Sequence, residues 1–289
     1  MTSRLVWLRF GGPVVGRFPR LFYRLALVAG WVAWQMRRGV RKNVVRNMLP
    51  LCDGDLPRAK REGLRACQHV AQYWVDLMTL PRRDMTRFEA DQLHLIHGER
   101  LTVLEQPGPI LAVSAHTGNG ELAVQALTFR GRSFVALVEA QEPPAWSEML
   151  LSMRAAAGGN FHETDFGGVR ACVRALREGQ LVGMMGDRDI QLAGICVTVC
   201  ERRVRIPRGP WELARRTGAL VLPVFSSRVR ADHFTVHVEE AFTIPKTSDV
   251  EADVLEGAKR YAVLLEQHLR RDPGQWAVLE DFWRVHACE

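Results

Sequence analysis

The chain has 289 residues, of which 47% are hydrophobic and 25% are charged, and its net charge is +7. These values describe an ordinary globular protein of one large domain or two small ones, and the length argues against a small disulfide-stapled domain. The six cysteines do not have the spacing of a disulfide framework, so we predict that they are reduced thiols. Cys196 and Cys200 flank a β-type Val-Thr-Val segment, and we expect both to be small core residues rather than metal ligands.

The positive charge is concentrated at the N-terminus. Residues 1–50 contain ten Arg or Lys residues and no Asp or Glu, so the other residues sum to about −3. An aromatic, apolar run from Leu21 to Trp34 is interrupted by Arg24, and its uninterrupted part from Leu25 is too short to span a bilayer. The early arginines also fit a signal peptide poorly.

A helix or helical hairpin of this composition suits the headgroup layer of an anionic membrane. We therefore predict a basic, amphipathic membrane arm over residues 1–50 and a single α/β domain over residues 51–289. A helix packed on the body with solvated arginines is the alternative. Nucleic acid is not expected as a partner, because the aliphatic content of the arm is high.

The rest of the chain alternates between helical and β-type patterns. Helices are predicted over 56–80, 121–129, 145–157, 168–178, 210–217 and 251–270, with a shorter one opening at Gly98. Strands are predicted over 94–97, 110–115, 133–138, 180–185, 195–200, 219–225 and 233–239. This alternation predicts an αβα sandwich with a mostly parallel central sheet, in which ligands bind beyond the carboxyl ends of the strands.

The segment His116-Thr-Gly-Asn-Gly-Glu121 follows a buried apolar strand and precedes a helix. On one continuous helix, residues five apart would point in different directions, so His116 and Glu121 can meet only if His116 precedes the helix. Gly118 and Gly120 allow such a loop. A carboxylate on one imidazole nitrogen would make the other nitrogen a stronger base, although a histidine at such a position is more often a packed residue.

The sequence lacks the motifs of several common enzyme classes. We find no Gly-x-Ser-x-Gly elbow, no cysteine-nucleophile signature, no phosphate-binding loop, no dinucleotide fingerprint and no His-Glu-x-x-His. No histidine spacing indicates a metal site. The chain thus offers a base without a protein nucleophile, which favours direct attack by an activated hydroxyl on an activated donor.

The string His116-x-x-x-x-Glu121 after an apolar strand resembles the signature of the lysophospholipid acyltransferase superfamily. More narrowly, the chain is similar to its bacterial branch of lipid A biosynthesis and phosphatidylinositol mannoside acyltransferases. Further matching blocks are Val138-Glu139 with Met153-Arg154, the segment 183–189 with Asp187-Arg188-Asp189, the segment 206–225, and Pro273-Gly-Gln-Trp276 with Trp283 beyond it. Five ordered blocks over about 170 residues carry the resemblance.

The resemblance implies that His116 is the general base and Glu121 its charge partner. Substrate-binding roles would fall to Glu139, Arg154, Asp187, Arg188, Asp189 and Arg208. The donor would be an acyl thioester on coenzyme A or an acyl carrier protein, and the acceptor a hydroxyl of a lipid or glycolipid. No metal or cofactor beyond that donor is expected, and the enzyme would lie peripherally or monotopically on the cytoplasmic face of the cell membrane.

Two departures from the family pattern bear on the substrate. Where the branch has a Phe-Phe-Gly-like string, this chain has Val199-Cys200-Glu201, so a different acyl or headgroup pocket is expected. It has Glu121 where glycerophospholipid-type members have Asp, and no Phe-Pro-Glu-Gly-like string, which favours a glycolipid-type acceptor. A non-catalytic lipid- or carrier-binding homologue and a thioesterase that uses water are the alternatives.

Overall fold

The computed structural model describes residues 11–127, 132–156 and 158–288, without the side chains of residues 125–127. Residues 11–17 are helical. The helices that follow are α1 (Pro19–Met36), α2 (Arg38–Leu51), α3 (Leu56–Thr79), α4 (Met85–Gln92), α5 (Gly120–Leu127), α6 (Pro144–Ala156), α7 (Phe166–Arg177), α8 (Gly209–Thr217), α9 (Val250–Arg271) and α10 (Phe282–Val285). Short 3-10 helices span Leu80–Arg82, Gly98–Glu105 and Pro273–Gln275.

The strands are β1 (Leu93–Ile96), β2 (Ile110–Ser114), β3 (Phe134–Val138), β4 (Phe161–Glu163), β5 (Leu181–Met185), β6 (Ile195–Val199), β7 (Arg202–Ile206), β8 (Leu220–Arg230) and β9 (His233–Val238). Seven of them form a sheet in the order β1-β9-β8-β2-β5-β3-β4. Neighbouring strands are parallel except β8 and β9, which form an antiparallel pair. The predicted mostly parallel sheet is confirmed.

Side chains alternate between the two faces of the sheet and produce two cores. Leu111 and Val113 of β2 face a core that α2, α3, α7, α8 and α9 complete. Ile110 and Ala112 face the opposite way, into a core with α5 and the 3-10 helix before β2. Helices thus cover both faces of the sheet, and the predicted αβα sandwich is confirmed.

Local sequence signals explain where several helices begin. Aspartate side chains cap the first turns of α3, α7 and α9, where Asp55, Asp165 and Asp249 accept bonds from the backbone N–H groups three residues on. Helix α8 ends at Gly218, which has a left-handed φ of 70°. Helices α3, α7, α8 and α9 begin and end close to their predicted positions.

The sequence predictions missed four short elements and one pairing. Helices α4 and α10 and strands β4 and β7 were not predicted. Strand β4, for example, has only three residues and shows no period. The segment predicted as a strand at 195–200 forms β6, which pairs with β7 in a separate antiparallel hairpin packed on α9. The predicted ends of two helices, residues 128, 129 and 157, lie outside the described residues.

The prediction of six reduced thiols was wrong for two of them. Cys196 of β6 and Cys288 near the C-terminus form a disulfide. The spacing argument failed because the partners lie 92 residues apart and meet only through the fold, where Cys288 N–H bonds to Arg203 of β7. The other four cysteines are buried and free.

The N-terminal segment lies against the body of the protein. Helix α1 packs on α3, and a Cβ on Gly30 would come within 2.5 Å of the Gln68 Cα atom. Val44, Met48 and Leu51 of α2 belong to the main core. No described helix has the length and apolar character needed to cross a membrane. The division at residue 50 stays a prediction, and α2 is packed as part of the body.

Candidate active site

His116 lies just beyond the carboxyl end of β2, in the centre of the sheet. Its backbone carbonyl accepts a bond from Ala277 N–H at 2.8 Å, and its backbone N–H donates to Asp187 Oδ2 at 3.0 Å. Ser114, two residues earlier, receives the Tyr261 hydroxyl on its carbonyl oxygen at 2.8 Å. The chain is therefore fixed on both sides of the imidazole, and the ring is 31% exposed.

The loop after His116 sits directly on the backbone of β8. Gly118 has a φ of +55°, and a Cβ there would lie 2.6 Å from the Ser226 carbonyl oxygen. The Ser226 hydroxyl donates to Thr117 O at 2.8 Å and accepts from Asn119 N–H at 2.9 Å. Asn119 Oδ1 then accepts from Leu122 N–H at 3.1 Å and caps α5. His116 thus precedes the helix, as the two glycines of this segment predict.

Asp187 is the carboxylate bound to the imidazole of His116. Asp187 Oδ1 lies 2.8 Å from His116 Nδ1, and Oδ2 accepts the Trp276 indole N–H at 2.9 Å. Among the described residues, none forms a hydrogen bond with Nε2 of His116. A neutral ring with its proton on Nδ1 leaves Nε2 as a proton acceptor on the partly exposed side of the pair.

The electrostatics of the pair favour a basic imidazole. Burial lowers the pKa of His116, but the charge of Asp187 and its hydrogen bond outweigh burial and raise that pKa above the ordinary value. Burial also tends to raise the pKa of Asp187, yet the adjacent His116 and the bonds from Trp276 hold it below the usual range. Asp187 has no solvent exposure and stays ionised because its oxygens accept three hydrogen bonds.

The predicted pairing of Glu121 with His116 is not what the structure contains. Both carboxylate oxygens of Glu121 accept from Arg154, at 2.7 and 2.9 Å, and Oε1 also accepts the Tyr73 hydroxyl at 2.7 Å. The reason is direction: Glu121 lies in the first turn of α5 and points toward α3 and α6, whereas β5 delivers Asp187 beside β2. Glu121 and Arg154 form a largely buried ion pair.

Arg188 links two acidic side chains at the edge of the pair. Its Nη1 donates to Glu139 Oε2 at 2.9 Å, and its Nε donates to Glu280. The charges of Arg188 and Glu280 both act on the pKa of His116, in opposite directions. The predicted residues Glu139 and Arg188 are thus in contact with each other and lie by the His116–Asp187 pair.

Two further predicted site residues have partners elsewhere. Asp189 is buried, and its Oδ2 accepts the backbone N–H of Gly194 at 2.6 Å, closing the turn before β6. Arg208 lies before α8 and forms ion pairs with Glu212 and Glu251. Neither residue forms a side-chain hydrogen bond or ion pair with His116 or Asp187 within the described ranges, and their substrate-binding roles stay predictions.

A buried polar network holds the loop that follows His116. Asn119 Nδ2 donates to Asp76 Oδ2 at 2.8 Å, and the Tyr23 hydroxyl of α1 donates to Asp76 Oδ1 at 2.6 Å. Arg228 of β8 forms an ion pair with Asp76, and both side chains are 1% exposed. Helices α1 and α3, strand β8 and the loop after His116 therefore meet at one carboxylate.

The roles of Trp276, Tyr73, Asp76 and Glu280 were missed at the level of sequence. Trp276 is fully buried, and its indole N–H donates to Asp187. The one signal for it was its place in the last matching block. Asp76 and Tyr73 lie on α3, more than 40 residues from the segment they support, and no local pattern marks them.

The comparisons with known proteins identify the family of this chain. The family model of the bacterial lipid A biosynthesis acyltransferases matches residues 3–285, and the chain therefore belongs to that family. The predicted family is thus confirmed. The chain is an enzyme of the acyltransferase class, acting in acyl transfer to a lipid or glycolipid, and acyltransferases of this family need no cofactor beyond the acyl donor. The described residues contain no cluster of His, Cys, Asp or Glu that could hold a metal ion.

Individual curated relatives have modest sequence identity to this chain. A phosphatidylinositol mannoside acyltransferase of Mycobacterium tuberculosis (strain CDC 1551 / Oshkosh) is 28% identical over 263 residues, covering 86% of this chain and 78% of that protein. The enzyme of the same name from Mycolicibacterium smegmatis is 26% identical over 255 residues, covering 86% and 79%. The crystal structure of the Thermotoga maritima 1-acyl-sn-glycerophosphate acyltransferase PlsC covers 87% of this chain and 98% of its own, at 16% identity and a TM-score of 0.38.

Proposed function

We propose that the protein transfers a fatty acyl chain from an acyl thioester to a hydroxyl of a membrane glycolipid, with His116 as the general base. The observation that carries the proposal is the 2.8 Å contact between His116 Nδ1 and a fully buried Asp187, which leaves Nε2 toward the exposed side. In this role Asp187 replaces Glu121 as the group that supports the imidazole.

The chemistry follows from the neutral imidazole. Nε2 takes the proton of the acceptor hydroxyl while the hydroxyl oxygen attacks the thioester carbonyl, and the thiolate leaves from the tetrahedral intermediate. The resulting imidazolium is stabilised by the Asp187 carboxylate, which keeps its negative charge. A thiolate is a good leaving group, so the reaction depends more on the base than on an acid.

The donor is proposed to be acyl coenzyme A or an acyl carrier protein. We expect it to bind beside Arg188 and its two acidic partners, Glu139 and Glu280. A glycolipid acceptor fits the names of the mycobacterial relatives, which act on phosphatidylinositol mannoside. Glu121 acts through Arg154 in this proposal, holding the guanidinium at the start of α5 rather than touching the imidazole.

We place the enzyme on the cytoplasmic face of the membrane, attached through α1. The exposed side of α1 carries Leu21, Leu25, Val28 and Met36, and no acidic residue occurs in the first 50 positions. Such a helix lies in the interface with its apolar side in the acyl layer and its arginines at the lipid phosphates. Added salt should release part of this binding, because the cationic contribution is screened.

The decisive experiment replaces His116 with Ala and measures acyl transfer from acyl coenzyme A and acyl carrier protein to purified glycolipid acceptors. Loss of the base should lower kcat/KM by about 10²–10⁴-fold. His94→Ala is the matched control, since His94 is exposed on the edge strand β1. Thermal melting should show that both variants fold.

Two results would contradict the proposal. Near-normal transfer by the His116→Ala variant would remove the base from the mechanism. Free fatty acid released by the wild type at the same rate with and without acceptor would identify a thioesterase in which water takes the place of the hydroxyl.

A further inference from the structure

A cavity of about 450 Å³ lies between α1, α3 and the β8–β9 turn, and His116 is not among its lining residues. Its walls carry three arginines, Arg20 and Arg24 from one side and Arg230 from the other, together with Tyr23, Asp232 and His233. Three guanidinium groups around one cavity create a strong attraction for an anion.

Asp232, the acidic residue in the cavity lining, forms no ion pair with these arginines among the described residues. Asp232 Oδ2 accepts from Gln92 Nε2 at 2.9 Å, and its Oδ1 lies 3.1 Å from His233 Nδ1. Within the described ranges, neither Arg20 nor Arg24 forms an ion pair or a side-chain hydrogen bond. Among the same residues, the Arg230 side chain has one hydrogen-bonding partner, the ring of His233, at 3.4 Å. The cavity therefore has guanidinium donors that the described residues leave available.

The cavity lies along one flank of the exposed apolar side of α1. At 100° per residue, Arg20 and Arg24 lie next to the row of Leu21, Leu25 and Val28, on the side that turns toward β8. Those three side chains are exposed. If the row enters the acyl layer, the arginines beside it lie at the depth of the lipid headgroups.

We propose that this cavity binds the phosphate of an anionic membrane lipid, with Arg24 and Arg230 holding the phosphate from opposite walls. Guanidinium groups bind phosphate oxygens through two parallel N–H bonds, which gives both energy and orientation. Leu27 and Ala231 in the lining provide an apolar wall for the glycerol and upper acyl carbons. A lipid fits this mixed lining better than free phosphate, which has no apolar part. The inference rests on the proposed attachment of α1 to the membrane.

Binding is measured by calorimetric titration of the full chain with dihexanoyl phosphatidylglycerol below its micelle concentration. We expect saturable binding to the wild type, and a loss of at least tenfold in affinity in Arg24→Gln and in Arg230→Gln, because each loses one charged hydrogen-bonding group. Arg37→Gln is the matched control: it removes the same charge from the exposed end of α1, outside the cavity. Inorganic phosphate at equal concentration should not displace the lipid.

Three outcomes would overturn the proposal. They are equal weakening in the cavity and control variants, full displacement of the lipid by inorganic phosphate, and no binding of the short-chain lipid by the wild type. Flotation with phosphatidylglycerol vesicles separates this failure from that of the membrane arm. If the wild type floats with the vesicles but does not bind the short-chain lipid, the membrane-arm proposal stands and the cavity proposal fails. If the wild type does not float, both proposals fail. The general-base proposal is tested separately, by the His116→Ala variant.

Discussion

At the scale of single residues, the site depends on which carboxylate meets which cation. Asp187 holds the imidazole of His116, and Glu121 holds the guanidinium of Arg154. The two pairs are separate in the hydrogen-bond network, so substitutions in one should have different effects from substitutions in the other. Kinetics as a function of pH can tell them apart.

Asp187→Asn should lower kcat by about 10²–10⁴-fold and move the acidic limb of the kcat/KM profile to lower pH. The general base works only when neutral, so this limb follows the pKa of His116. The Asp187 carboxylate raises that pKa, and without its charge burial, the largest remaining influence, lowers it. The measurement is a pH series of initial rates. Asp84→Asn, at the exposed cap of α4, is the control and should leave the limb in place; an unmoved limb in Asp187→Asn would remove Asp187 from the base.

Glu121→Gln should leave that limb where it is in the wild type and act mainly on stability. The variant leaves the buried Arg154 without its counter-charge, which costs about 3 kcal/mol. Denaturant unfolding measures the loss. Glu163→Gln is the control, because Glu163 accepts a bond from a neutral Ser147 hydroxyl at 2.5 Å, and it should cost much less. A limb displaced in Glu121→Gln would mean that Glu121 does support the imidazole.

The sequence predicted His116 as a candidate and could not predict its partner. An imidazole after a strand is visible as a pattern, but Glu121 and Asp187 both had positions compatible with contact. Which one reaches Nδ1 depends on β5 lying next to β2 in the sheet order, and strand order does not show in the local sequence. Glu139 and Arg188 were both predicted for the site, and their ion pair was not.

At the scale of elements, the loop between β2 and α5 carries the imidazole and has little room to move. Gly118 lies against the β8 backbone, Asn119 caps α5, and Asp76 holds Asn119 from α3. The sequence predicted strand, loop and helix here from apolar residues and glycines. It did not predict that the loop rests on β8, because residues 118 and 226 meet only once β8 pairs with β2.

Gly118→Ala should lower both stability and kcat. Its left-handed φ of +55° costs about 1 kcal/mol for any residue with a Cβ, and the clash with Ser226 forces the loop to shift. A displacement of about 1 Å at a catalytic group can cost 10²-fold in rate. Gly54→Ala isolates the first effect, because Gly54 has a φ of +80° with open space around it. Melting temperatures and rates are compared in both variants; equal losses would mean that the contact with β8 does not position His116.

At the scale of the whole molecule, the N-terminal helix, the catalytic loop and the C-terminal segment are joined in one body. Tyr23 of α1 and Asn119 of the loop bond to the same Asp76, while the Cys196–Cys288 disulfide ties the C-terminus to β6. The fold class could be predicted from alternating elements alone. These long-range links could not, since their partners lie 43 to 92 residues apart.

The exposed side of α1 carries apolar side chains that do not pack against the body of the protein, and we expect them to contact the membrane. Leu25 and Val28 are 49% and 57% exposed, so replacing both with Gln should leave the fold intact. Binding to phosphatidylglycerol vesicles should fall at least tenfold, because each side chain loses part of about 1.5–3 kcal/mol of apolar transfer. Val169→Gln with Val263→Gln is the matched control, with two exposed valines on α7 and α9. Vesicle flotation measures the bound fraction, and equal binding by both double variants would mean that α1 does not enter the lipid.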